Sequence, residues 1–90
     1  MPVANTMTPS EAADYEKRRA RAEKVVKQRG YGWQSKIARA LGGMNLATVN
    51  GHLSGRLKSA AILARIEQAI KDTQDEYELE QREKDEQRRR

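Results

Sequence analysis

Apolar positions along this chain recur at intervals of three and four and nowhere alternate, so the pattern predicts helices and no strand. Thr8-Pro9-Ser10-Glu11 reads as a helix start, with Thr8 as N-cap, Pro9 at the first helical position and Glu11 placed to close a capping box on the Thr8 amide. No Gly or Pro interrupts from there to Arg29. Ala12, Tyr15, Ala22, Val25 and Val26 share this helix with Lys17, Arg18, Arg19, Arg21, Lys24 and Lys27. It is polar early and amphipathic late, so its first half is expected to project or fray. Gly30-Tyr31-Gly32 breaks it. Trp33 opens a second helix with Ile37, Ala38 and Leu41 on one face, and Gly42-Gly43 ends that one. Asn45 caps a third, which carries Leu46, Val49 and Leu53 at i, i+3 and i+7 and stops at Ser54-Gly55. A fourth runs from Lys58 or Ser59 with Ile62, Leu63, Ile66, Ala69 and Ile70 at helical spacing.

The last twenty residues offer only Tyr77 and Leu79 as large apolar groups, too few to support packing against a core. Acid-before-base pairs at i, i+4 (Glu78 with Arg82, Glu80 with Lys84, Asp85 with Arg89, Glu86 with Arg90) favour a helix there. A seam of Leu63, Ile66, Ile70, Thr73, Tyr77 and Glu80 starts apolar and fades. Three readings stay open: a solvated extension of the fourth helix, a dimerising coiled coil, or disorder. The expected architecture is all-α, a compact bundle of four to five helices containing a helix-turn-helix, with a charged C-terminal extension that is helical or disordered. Residues 1–8 are expected to be a disordered N-terminus, 9–71 a helical domain whose helix, turn and helix occupy 34–54, and 72–90 a charged tail. The expected core is Val25, Val26, Trp33, Ile37, Leu41, Val49, Leu53, Ile62, Leu63, Ile66 and Ile70.

Composition sharpens this in one respect. Ninety residues suffice for one domain, and the net charge of +5 suggests only a mildly basic protein. The charge is segregated, however. Residues 1–16 carry three acids and no base, residues 17–65 carry twelve Lys or Arg against Glu23 alone, and residues 66–90 carry nine acids against six bases. The central block of +11 attracts polyanions, for which phosphate backbones are the usual partner; a solubilising face is the plainer reading.

Other chemistry finds little support. With no cysteine there is no disulfide, thiolate zinc site or thiol nucleophile. His52, the one histidine, has no ligand partner at metal spacing, and reads either as a packed residue or as a nucleic-acid contact. Trp33 reads as a core-edge anchor or a base-stacking ring, and Tyr31 is left unassigned. SGRLKS lacks the spacing of a phosphate-binding loop, and no Ser, His and Asp arrangement is evident, so no enzyme, cofactor or metal is expected. No stretch approaches a membrane span, and the first ten residues do not form a signal peptide, so a cytoplasmic protein without membrane contact is expected.

The stretch QSKIARALGGMNLATVNGHLSG, Gln34 to Gly55, resembles the helix-turn-helix of the lambda-repressor and Cro-like family. Ala38 answers to the small residue of the first helix, Gly42 or Gly43 to the turn glycine, and Val49 to the β-branched residue of the second helix. The resemblance spans roughly residues 22–70. It departs in one place: Ala38 to Val49 is one residue longer than the family spacing, which leaves the register of the second helix open by one. The resemblance implies double-stranded DNA as partner, a homodimer, here through the C-terminal helix, and no small-molecule effector. It implies base contacts from Leu46, Ala47, Asn50 and Gly51, of which only Asn50 can grip a base bidentately, and phosphate contacts from Gln34 and Ser54. Lys36, Arg39, Asn45, Thr48, Arg56 and Lys58 complete the expected phosphate set. The implied function is a small transcriptional repressor or regulator of phage type. The alternatives are a DNA-targeting or accessory protein of a transposition or recombination system, and a protein–protein assembly module with a basic helical surface.

Overall fold

The capping chemistry at Thr8 holds as read. In the computed structural model, which describes residues 7–88, the Thr8 hydroxyl accepts a hydrogen bond from the Glu11 amide (3.2 Å) and the Glu11 carboxylate accepts one from the Thr8 amide (3.0 Å). That box starts α1 (Pro9–Arg29). It is followed by α2 (Trp33–Ala40), α3 (Leu46–Ser54), α4 (Ala60–Asp72) and α5 (Gln74–Arg88). Asn45 and Ser59 cap α3 and α4 through their side chains, and Gly55 closes α3 in the left-handed region. The described residues thus form an all-α bundle of five helices with no strand.

Four helices share one core of Tyr15, Ala22, Val26, Ile37, Ala38, Leu41, Val49, Leu53, Leu63, Ile66 and Ala69, with Trp33 buried beside it. Val25 is only half-buried and Ile62 and Ile70 lie at the core margin, whereas the small residues Ala22, Ala38 and Ala69 are inside, where they let helices approach closely.

The first half of α1 does not project. Tyr15 is buried, and its hydroxyl accepts a hydrogen bond from the Ser59 amide at the start of α4 (3.1 Å). Arg18 grips Glu67 of α4 with two hydrogen bonds, and Arg19 donates to the Leu53 carbonyl at the end of α3. These anchors are polar groups met by partners more than thirty residues away, which apolar periodicity does not register. The disorder expected over residues 1–8 falls mainly outside the described residues; of those described, Met7 packs against the core and Thr8 is the cap.

The tail is helical to Arg88, within the open readings, but it is a separate helix whose start is docked. Thr73 (φ −102°, ψ 6°) separates α5 from α4, and the first turns of α5 dock on α2. Tyr77 meets Trp33 edge to face with ring centres 5.6 Å apart, and Glu80 reaches both Trp33 Nε1 and Lys36 Nζ. Leu63 and Ile66, the apolar start of the expected dimer seam, lie inside the core of a single chain. Of the expected tail pairs, Glu80–Lys84 forms (3.6 Å), Glu78–Arg82 does not, and the two that use Arg89 and Arg90 lie outside the described residues. Beyond Glu80 the helix runs on with little contact. The radius of gyration, 15.4 Å, therefore exceeds the roughly 12 Å of an equally long compact chain. None of the described helices is long and apolar enough to cross a membrane.

Candidate nucleic-acid interface

The turn between α2 and α3 decides which side of α3 faces the core. Gly42 and Gly43 have φ of +88° and +87°, a backbone that L side chains rarely adopt, and the Gly43 and Met44 amides both donate to the Ala38 carbonyl (3.1 Å). Two successive left-handed glycines thereby join α2 to α3. Ala38 remains buried in α2, while Val49 and Leu53 remain buried in α3, so the exposed side of α3 is the one opposite Val49.

Three helix ends meet around an open groove of about 470 Å³ lined by Val26, Lys27, Gly30, Tyr31, Gly32, Gln34, Ser35 and Leu46. Gly32 (φ +89°) is the N-cap of α2 and offers no side-chain acceptor, so the positive end of this helix opens onto the groove. Leu46, at the first turn of α3, is exposed on its other side, and Tyr31 projects fully into solvent. Gln34, an expected phosphate contact, lines this groove. Lys27 and Tyr31 were absent from the expected contact set, because only the packing of α1 against α2 brings them to this edge.

On α3 itself Leu46, Ala47 and Ser54 are exposed, and Thr48 is half-buried. Two expected base contacts change. Gly51 is buried beneath the following loop: a Cβ there would lie 2.7 Å from Leu57 Cδ1. Asn50 is half-buried with its Oδ1 enclosed and accepting no hydrogen bond, so a bidentate grip on adenine requires the side chain to rotate outward. Asn45 uses its Oδ1 to cap the Ala47 amide (2.8 Å), and Ser54 Oγ donates to the Gly51 carbonyl (3.2 Å). His52 packs inside with its Nδ1 unpartnered, and burial pushes its pKa down, in line with the packing role.

The cations divide into two groups. Lys36 is bound by Glu80 (2.9 Å) and Glu76 (3.2 Å) of α5 and lies over the Trp33 ring (4.6 Å). Hydrogen bonding to Glu80, then Glu76, holds the Lys36 pKa above its ordinary value, and Lys36 holds Glu80 below the usual carboxylate range. Exposed Arg39 lines a second groove with Lys36, Ala40, Thr73 and Glu76. These two expected phosphate contacts therefore sit on the α5 side of α2, with Lys36 neutralised. Arg56 and Lys58 are exposed in the loop after α3 and make no ion pair among the described residues. Trp33 is buried, an anchor between α2 and α5 rather than a free ring. No protein family, no curated protein and no solved structure matches this chain.

Proposed function

We propose that this chain binds double-stranded DNA through α2 and α3 and acts as a small regulator of transcription of phage or mobile-element kind. One observation carries the reading: the uncapped start of α2 and the exposed first turn of α3 open onto the same groove, which Lys27 borders, while Val49 and Leu53 hold α3 from behind. A helix start presents amide donors and the positive end of its dipole, which suits a phosphate. Gln34 and Lys27 flank that position, and exposed Lys58 continues it in the loop after α3. With the phosphates held along this edge, the first turn of α3 enters the major groove, where Leu46 and Ala47 suit a thymine methyl. Pairing of two copies on two half-sites belongs to the same reading. Leu63 and Ile66 are unavailable for it, so exposed Leu79 and the length of α5 beyond Glu80 are the part of the tail left for that contact.

Titrating fluorescent random and selected duplexes, with single-stranded RNA as competitor, at several salt concentrations tests this. Neutralisation of roughly six phosphates predicts a slope of log affinity on log salt near −5. No duplex binding, or a slope near zero, rejects the reading in favour of a protein partner. Equal affinity for all duplexes places the chain among accessory proteins of transposition or recombination.

A further inference from the structure

The outer face of α3 lacks the Arg or Gln that reads bases best, but the loop that follows supplies one. Gly55 (φ +88°) turns the chain back at the end of α3, and the Leu57 amide donates to the Gly51 carbonyl (2.9 Å), which ties the loop onto the helix it has just left. Arg56 consequently lies along α3 instead of beyond it. Its Nη2 reaches the Ala47 carbonyl at 3.5 Å and would stand 3.3 Å from a Cβ at residue 51. Ala47 and Gly51, one turn apart, are the small residues that leave room for it. Thus a guanidinium occupies the place where a side chain of α3 itself would face the groove.

We infer that Arg56 is a specificity-determining residue that reads guanine, an inference resting on the DNA-binding reading above. A guanidinium has five N–H donors in a planar fork, and guanine presents O6 and N7 side by side in the major groove, the commonest specific pairing there. One contact to Ala47 holds the group on the helix face and leaves the other donors free. No carboxylate engages Arg56 among the described residues, so its charge is not spent within the chain. Leu46 and Ala47 beside it suit a thymine methyl, so the preferred site pairs a guanine with a neighbouring thymine. Lys58, further along the loop, keeps the phosphate role.

Selection from a random duplex pool by the wild-type chain, Arg56→Lys and Arg56→Ala tests this, followed by replacement of the selected guanine with 7-deazaguanine. The wild type should enrich one guanine, and Arg56→Lys, which keeps the charge and loses the fork, should discriminate at that position about tenfold less while binding random duplex within about threefold of wild type. The 7-deaza replacement should weaken the wild type by a similar factor and leave Arg56→Lys unaffected. An Arg56→Lys chain that retains the guanine preference overturns the inference and leaves DNA binding standing. A wild-type chain that binds no duplex overturns both.

Discussion

The Arg29 guanidinium lies 4.7 Å from the centre of the Trp33 ring and is almost entirely enclosed. Tyr77 covers it from α5 (5.1 Å), Thr73 Oγ1 and Gln74 Oε1 accept from it at 2.8 and 2.9 Å, and so does the Ile70 carbonyl at 3.0 Å. Among the described residues no carboxylate pairs with it; rings and hydroxyl, carbonyl and amide oxygens take the place of water. One residue at the end of α1 therefore fastens α2, the end of α4 and the start of α5. Arg29→Ala should cost about 3 kcal/mol, because charge-assisted hydrogen bonds and packed rings are lost together. Urea denaturation measures the loss, and hydrogen exchange should show amides 74–80 opening faster than those of α3. A loss below about 0.5 kcal/mol would mean that the cage contributes little beyond an ordinary surface contact.

Gly43 has φ +87° with open space where a side chain would stand. Gly43→Ala should thus destabilise by about 1–2 kcal/mol through backbone strain alone, and Gly43→Asn by less. Chemical denaturation distinguishes the two variants. Equal stability of both with wild type would show that the turn relaxes to another conformation.

His52 makes the fold sensitive to mild acid. Burial lowers its folded-state pKa, so between that value and about 6.5 the unfolded chain binds a proton that the folded chain refuses. Its contribution is full above about pH 6.5 and declines as pH falls, by at most about 1.4 kcal/mol per pH unit for one proton. The carboxylates with displaced values (Glu11, Glu16, Glu67 and Glu80) are all lowered and titrate below this window. Thermal melts from pH 7 to 5 should slope downward for wild type and stay flat for His52→Gln. Parallel curves would remove His52 as the cause.

Lys36 is held by two carboxylates of α5. Glu76→Gln with Glu80→Gln keeps hydrogen-bonding groups in place, removes two negative charges beside α2 and releases Lys36. Affinity for random duplex should rise about threefold or more at low salt, and the gain should fade as salt screens it. Unchanged binding at every salt concentration would place α5 and Lys36 away from the DNA.

Much of this molecule was readable because its signals are local. The capping box at Thr8, the cap at Asn45, and the glycine stops at 42–43 and 55 depend on residues within a turn of one another, and those helix ends fell near their signals. The burial of Val49 and Leu53 followed from spacing along a single helix. What spacing could not show was contact between distant segments. Tyr15 looked like one apolar residue in a polar half-helix, yet Ser59 gives its hydroxyl a partner and so permits its burial. Gly51 and Asn50 looked outward on a helical wheel, but a wheel contains neither the loop that folds Leu57 back over Gly51 nor the packing that encloses Asn50 Oδ1. Arg56 and Lys36 looked alike as loose cations, and only the packed fold separates them.

Helix identity and charge segregation thus followed from residue order, since hydrogen bonding within a turn and summed charge need no tertiary contact. Which cations remain free, which face of α3 is open and whether the tail docks were decided by packing. Those outcomes depend on partners such as Glu80 for Lys36 and Tyr77 for Arg29, more than forty positions away, which meet only when the core of four helices brings the ends of α1 and α2 against α5.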